Sequence, residues 1–170
     1  MLIGVPKEIK NHEYRVGMAP ASVREAITHG HQVMVQSLAG EGIGASDEEY
    51  RSVGADIIDN PQDIFARAEM IVKVKEPQVN ERAMLSSGQI LFTYLHLAPD
   101  PDQTRDLVAS GATCIAYETV TSPHGGLPLL APMSKVAGRM AIQAGAYCLE
   151  QPHGGLGMLL AGVPGVDPAK

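Results

Sequence analysis

Short apolar runs alternate with capped, helix-patterned segments through the first 118 residues, and this alternation constrains the fold more than any other feature. The runs LIGVP (2–6), HQVMVQ (31–36), ADIID (55–59), MIVKVK (70–75), QILFTYLHL (89–97) and TCIAYE (113–118) each have the length and composition of a strand. Between them, PASVREAITHG (20–30) has Pro20 in its first turn and Gly30 as its stop, SDEEYRSVG (46–54) opens on a serine cap, and NPQDIFARA (60–68) pairs an asparagine cap with proline. VNERAMLSSG (79–88) and DPDQTRDLVASG (100–111) complete the series. Strands alternating with helices predict an α/β domain: a mainly parallel, Rossmann-like (flavodoxin-like) sheet flanked by helices. After LPLLAP (127–132) the pattern changes to one long Ala/Gly-rich helix over 133–151, so a boundary is expected near residue 128.

A parallel α/β sheet presents ligands beyond the carboxyl ends of its strands. At those ends this chain places polar groups in otherwise apolar surroundings. Lys75 closes one strand, Tyr94 and His96 close another, and Arg15 sits in the loop after the first, within KEIKNHEYR. Arginine offers a planar fork for a carboxylate, lysine a compact charge for a carboxylate or developing oxyanion, and histidine a proton shuttle near neutral pH. Together they suit a small acid or keto acid and an acid/base step. Blander readings stand beside these. His96 also suits a histidine bonded to a backbone carbonyl. Arg15 lies in a mixed charge run of the kind that is usually solvated. Tyr94 fits packing, with its hydroxyl at the rim. Lys73 shares a face with Lys75 in a regular strand and is expected to snorkel to solvent.

AGEGIGA (39–45) imitates a nucleotide loop: Gly40, Gly42 and Ala45 fit a relaxed G-x-G-x-x-A spacing, with Asp59 downstream. Glu41 would set a carboxylate against a pyrophosphate, and the segment is long for the tight turn such a fold uses, so a glycine-rich surface loop is the favoured interpretation. The histidines lack metal-ligand spacing, and no metal is expected. Cys114 and Cys148 are expected to pack.

The net charge of −6 argues against nucleic acid or an anionic membrane as partner. No apolar run approaches the roughly 20 residues of a membrane helix. Two cysteines and a start without leader character point to a reducing, cytoplasmic setting.

GVPKEIKNHEYRV, VKVKEP, LFTYLHLA and LPLLAPMSKVAGRMA, taken as a set, closely resemble the alanine dehydrogenase family, from residue 1 to about residue 168. The resemblance implies NAD-dependent oxidative deamination of L-alanine to pyruvate and ammonia, by a homo-oligomer, a hexamer in that family. It implies that Arg15 binds the substrate carboxylate and that Lys75 binds substrate and polarises it. His96 becomes the proton donor and acceptor, Tyr94 and Met133 pocket walls, and Ser134 a cofactor phosphate contact at a helix N-terminus. Residues 1–128 would then be most of a substrate domain, and 129–170 the connecting helix and approach to an NAD domain. The main NAD site is expected beyond Lys170, and the 170-residue chain alone is expected not to turn over. Two alternatives are a non-catalytic module that binds a small acid or pairs subunits, and an NAD-binding domain of transhydrogenase type.

Overall fold

A computed structural model of the chain describes residues 1–168. The last two residues of the expected 129–170 segment lie outside that range. The chain divides into two compact units, Met1–Val120 and Thr121–Lys170.

The first unit is the predicted α/β domain. Strands β1 (Leu2–Val5), β2 (Gln32–Gln36), β3 (Asp56–Ile58), β4 (Met70–Val72), β5 (Ile90–Thr93) and β6 (Thr113–Ala116) form one sheet in the order β3-β2-β1-β4-β5-β6. Every pairing is parallel. This is the doubly wound 3-2-1-4-5-6 order, and its direction of winding reverses between β1 and β4. The connecting helices are α1 (Pro20–Thr28), α2 (Asp47–Ser52), α3 (Pro61–Arg67), α4 (Val79–Arg82) and α5 (Pro101–Ser110).

Local chemistry accounts for the boundaries. Ser46 forms a complete capping box with Glu49, Asn60 accepts from the Gln62 amide, and Asp100 accepts from the Gln103 amide. α5 stops at Gly111, in the left-handed conformation. Strand alternation sorts the core onto two faces. Val33 and Val35 join Ile3, Val5, Val23 and Tyr50 on one, while Met34 joins Ile64, Phe65, Ile71, Leu91 and Leu107 on the other. Tyr50 is fully buried, and its hydroxyl, pushed up to about 12 by desolvation, donates to the Met18 carbonyl at 2.9 Å. A side chain at Gly4 would stand 2.6 Å from Ile64 Cγ2, so glycine there lets α3 close on β1.

All six strands are shorter than the runs in the sequence, and at β4 and β5 this moves the site. Lys75 is three residues past β4, and Tyr94 and His96 lie past β5. All three are loop residues at the carboxyl edge, not strand ends.

In the second unit, α6 (Ala131–Leu149) begins two residues earlier than predicted. It exposes Val136, Met140, Ile142 and Tyr147. Tyr147 stacks on His153 with ring centroids 3.6 Å apart. Cys114 packs against the core as expected, whereas Cys148, on α6, is exposed. No helix among the described residues is long and apolar enough to cross a membrane.

Candidate functional site

The loops after β1, β4 and β5 meet at the reversal point of the sheet, and a buried ion cluster joins the first two. Lys73 is completely buried. Its ammonium donates to Glu81 Oε1 at 2.7 Å and to Glu8 Oε2 at 3.2 Å. Both carboxylates are nearly covered, at 2% and 4% side-chain exposure. This corrects the expectation that Lys73 snorkels. The two carboxylates, one from the loop after β1 and one from α4, satisfy the ammonium inside the protein, so it has no need to reach solvent. Glu8 Oε1 accepts from the Val74 amide at 2.7 Å and the Lys75 amide at 3.4 Å. Glu81 Oε2 accepts from the Gln78 amide at 2.7 Å. Burial pushes the Glu8 carboxyl above its ordinary range, although Lys73 pulls the other way. An ion pair between Lys10 and Glu76 adds a second tie between the two loops.

Lys75 is thereby held by its backbone. Glu8 receives its amide, and its carbonyl accepts the Thr93 hydroxyl at 2.9 Å. The next residue, Tyr94, donates its amide to Val74. The Lys75 ammonium is half-buried, and no hydrogen bond or ion pair engages it among the described residues. The contrast with Lys73 two positions earlier is complete: one lysine is buried and doubly paired, the other is held by its main chain with its charge unspent.

Arg15 faces the same rim. Its Nε and Nη2 donate to Glu13 Oε1 and Oε2 at 2.8 and 2.5 Å, and its amide donates to Oε1 at 2.9 Å. These hydrogen bonds hold the Glu13 carboxyl below its ordinary value, and the charge on Lys75 contributes in the same direction. Arg15, Lys75 and Glu13 therefore form one electrostatic group, and Tyr94 and Glu8 lie close enough to act on Arg15. Tyr94 stacks edge-on against Tyr117 at 4.9 Å, and burial pushes the Tyr117 hydroxyl strongly up.

His96 stands on the adjacent loop, exposed, with φ 51°. Non-glycine residues seldom hold that conformation unless their surroundings fix it. Here Glu118 does so: its carboxylate accepts the His96 amide at 2.7 Å and the Leu95 amide at 3.1 Å. Gln103, from α5, donates to the Leu95 carbonyl at 2.6 Å.

A cleft of about 360 Å³ has Arg15 in its wall together with Lys7, Glu8, Glu13, Leu38 and Glu41. It carries more carboxylates than cations, the wrong balance for an anion.

A side chain on Gly42 would meet the Tyr14 carbonyl oxygen at 2.2 Å, and one on Gly40 would meet Ala45 O and Tyr50 Cε2, each at 2.6 Å. Close packing therefore explains these glycines of the 39–45 loop, and Gly42 receives the Tyr14 backbone, next to Arg15. Gly42→Ala is expected to destabilise the unit by about 1–3 kcal/mol, the usual cost of overpacking, measured by urea unfolding. Met133 and Ser134 belong to the second unit, on the first turn of α6. The Ser134 amide donates to the Leu130 carbonyl at 3.1 Å and its hydroxyl to the same oxygen at 3.3 Å, so the free donors expected for a phosphate are engaged. Among the described residues, no cluster of His, Cys, Asp or Glu could hold a metal ion.

Glu8, Glu13, Glu81 and Glu118 are the residues that sequence reasoning missed. Only Glu13 carried a local signal, its spacing of two from Arg15.

The model of the family "Alanine dehydrogenase/PNT, N-terminal domain" matches residues 4–137. The chain is 60% identical over its whole length to an alanine dehydrogenase of Halomonas elongata and 54% identical to one of Bacillus subtilis. It spans 46% and 44% of those proteins, about half their length. A solved structure of an L-alanine dehydrogenase superposes with TM-score 0.87 at 51% identity, over 99% of this chain and 46% of that one. A transhydrogenase from Sinorhizobium meliloti superposes with TM-score 0.66 at 26% identity, over 69% of this chain and 35% of its own.

Proposed function

The chain belongs to the alanine dehydrogenase/PNT N-terminal domain family, and from that premise we propose that its first unit is the substrate-binding part of an NAD-dependent amino-acid dehydrogenase interconverting L-alanine with pyruvate and ammonia. The observation that carries this reading is the pair of lysines: Lys73 centres a buried ion cluster that holds the Lys75 backbone, while the half-buried Lys75 keeps its ammonium out of any ion pair among the described residues and acts electrostatically on Glu13, the partner of Arg15. An unpaired ammonium next to a guanidinium suits one small carboxylate bearing a carbonyl or imine. Arg15 binds the carboxylate. Lys75 binds it too and polarises the carbonyl oxygen. His96 holds and delivers the proton exchanged at the reacting oxygen or nitrogen. Tyr94 walls the pocket.

NAD supplies the hydride acceptor in this reading. Neither the 39–45 loop nor Ser134 offers a complete pyrophosphate cradle among the described residues, so the roles assigned to this chain stay on the substrate side. Residues 1–128 serve as the substrate domain and 129–170 as the connection toward the cofactor domain. The assembly is proposed to be a cytoplasmic homo-oligomer, a hexamer on the resemblance. Calorimetric titration tests the assignment. Pyruvate is expected to bind the chain and NAD to bind weakly or not at all. Robust NAD binding with no pyruvate heat would favour a nucleotide-binding unit of transhydrogenase type and sink the substrate-site reading.

A further inference from the structure

We propose that Glu13 is the positioning residue of Arg15: it fixes the guanidinium before any ligand arrives and so sets the affinity of the rim for a small monocarboxylate. The inference rests on Arg15 being the carboxylate anchor. Its basis is the closed ring between the two side chains. Glu13 takes the Nε and Nη2 edge of the guanidinium with both oxygens, at 2.8 and 2.5 Å, and also receives the Arg15 amide at 2.9 Å. A spacing of two residues permits both ends to close at once. The Glu13 side chain is 6% exposed and that of Arg15 44%. The acceptor is thus covered while the donor remains reachable.

An unrestrained arginine loses much rotamer freedom when a ligand orders it, and that loss weakens binding. A guanidinium already held by Glu13 has lost it on folding. The platform beneath is fixed as well, because Gly42 receives the Tyr14 carbonyl between the two residues at a distance that excludes a side chain. Glu13 is poorly suited to the opposite role, a competitor that yields Arg15 to the ligand. Its Oε1 is committed to the Arg15 amide, and release would strand a covered carboxylate.

The test compares the wild-type protein with Glu13→Gln and Glu13→Ala, by pyruvate titration and by NMR of the Arg15 Nε–H group. In Glu13→Ala the Arg15 Nε–H group is expected to lose its restraint and its slow exchange, and in Glu13→Gln, which keeps one acceptor oxygen for Nε but none for Nη2, to lose part of them. Pyruvate affinity is expected to fall roughly three- to tenfold, as loss of pre-ordering in one long side chain predicts, with the melting temperature little changed. Unchanged or tighter pyruvate binding in the variants would overturn the proposal, and so would an Arg15 Nε–H signal that stays restrained without Glu13. If the wild type binds no pyruvate, the carboxylate-site reading fails by itself, and the NMR comparison still decides whether Glu13 positions Arg15.

Discussion

Lys73→Met is expected to lower the unfolding free energy by about 3–5 kcal/mol, the usual result of removing one partner from a buried ion group. That is a large share of the roughly 5–15 kcal/mol that holds a domain folded. The cause is less the lost attraction than what remains: Glu8 and Glu81, both nearly covered, would face each other without a cation. Burial already pushes Glu8 toward its protonated form with Lys73 present. The sign of the pH dependence follows. A carboxyl raised in the folded state contributes stability at low pH that is lost as pH rises through its folded value. The variant should therefore lose least in acid and most at neutral pH. Urea unfolding across pH measures this. Neutralising all three residues, as Glu8→Gln, Lys73→Met and Glu81→Gln together, should recover part of the loss, because no buried charge is then left alone. A Lys73→Met loss under about 1 kcal/mol, flat with pH, would contradict the description of the cluster.

The second large effect separates binding from chemistry at the rim. Lys75→Ala removes a charge-assisted contact to the ligand, about 1.5–3 kcal/mol, and so should weaken pyruvate binding by about tenfold to a hundredfold. His96→Ala should leave pyruvate affinity nearly unchanged but lower turnover in the active holoenzyme by about 10²–10⁴, the usual contribution of a positioned acid/base. Calorimetry on both variants and NADH consumption with pyruvate and ammonia would show the split. Equal losses of binding and turnover in both variants would contradict the assigned roles. Glu118 acts through His96, since it holds the left-handed turn by accepting two consecutive amides.

Much of this was legible in the sequence because the relevant signals are local. Ser46 and Asn60 mark their helices by side-chain chemistry within three residues, and the alternation of strand and helix fixes a parallel sheet. Topology then directs attention to the loops that carry Arg15, Lys75 and His96. What stayed hidden depends on distance. Glu8 and Lys73 are 65 residues apart and meet only because β1 and β4 are neighbours. The expectation that Lys73 snorkels fails because its carboxylate partners, Glu8 and Glu81, are supplied by other elements and leave no local trace in the strand. Gly40 and Gly42 show the converse: a spacing that imitates a phosphate loop is accounted for by the Tyr14, Ala45 and Tyr50 atoms packed against it.

A small keto acid is proposed to sit at the β1/β4 reversal point, with its carboxylate bound by Arg15 and Lys75. A crystal structure of the protein soaked with pyruvate tests this most directly. The account predicts density for the ligand with carboxylate oxygens within hydrogen-bonding distance of the Arg15 guanidinium and the Lys75 ammonium, and with Glu13 still bound to Arg15. Pyruvate at another location, or an empty rim at saturating ligand, would contradict it.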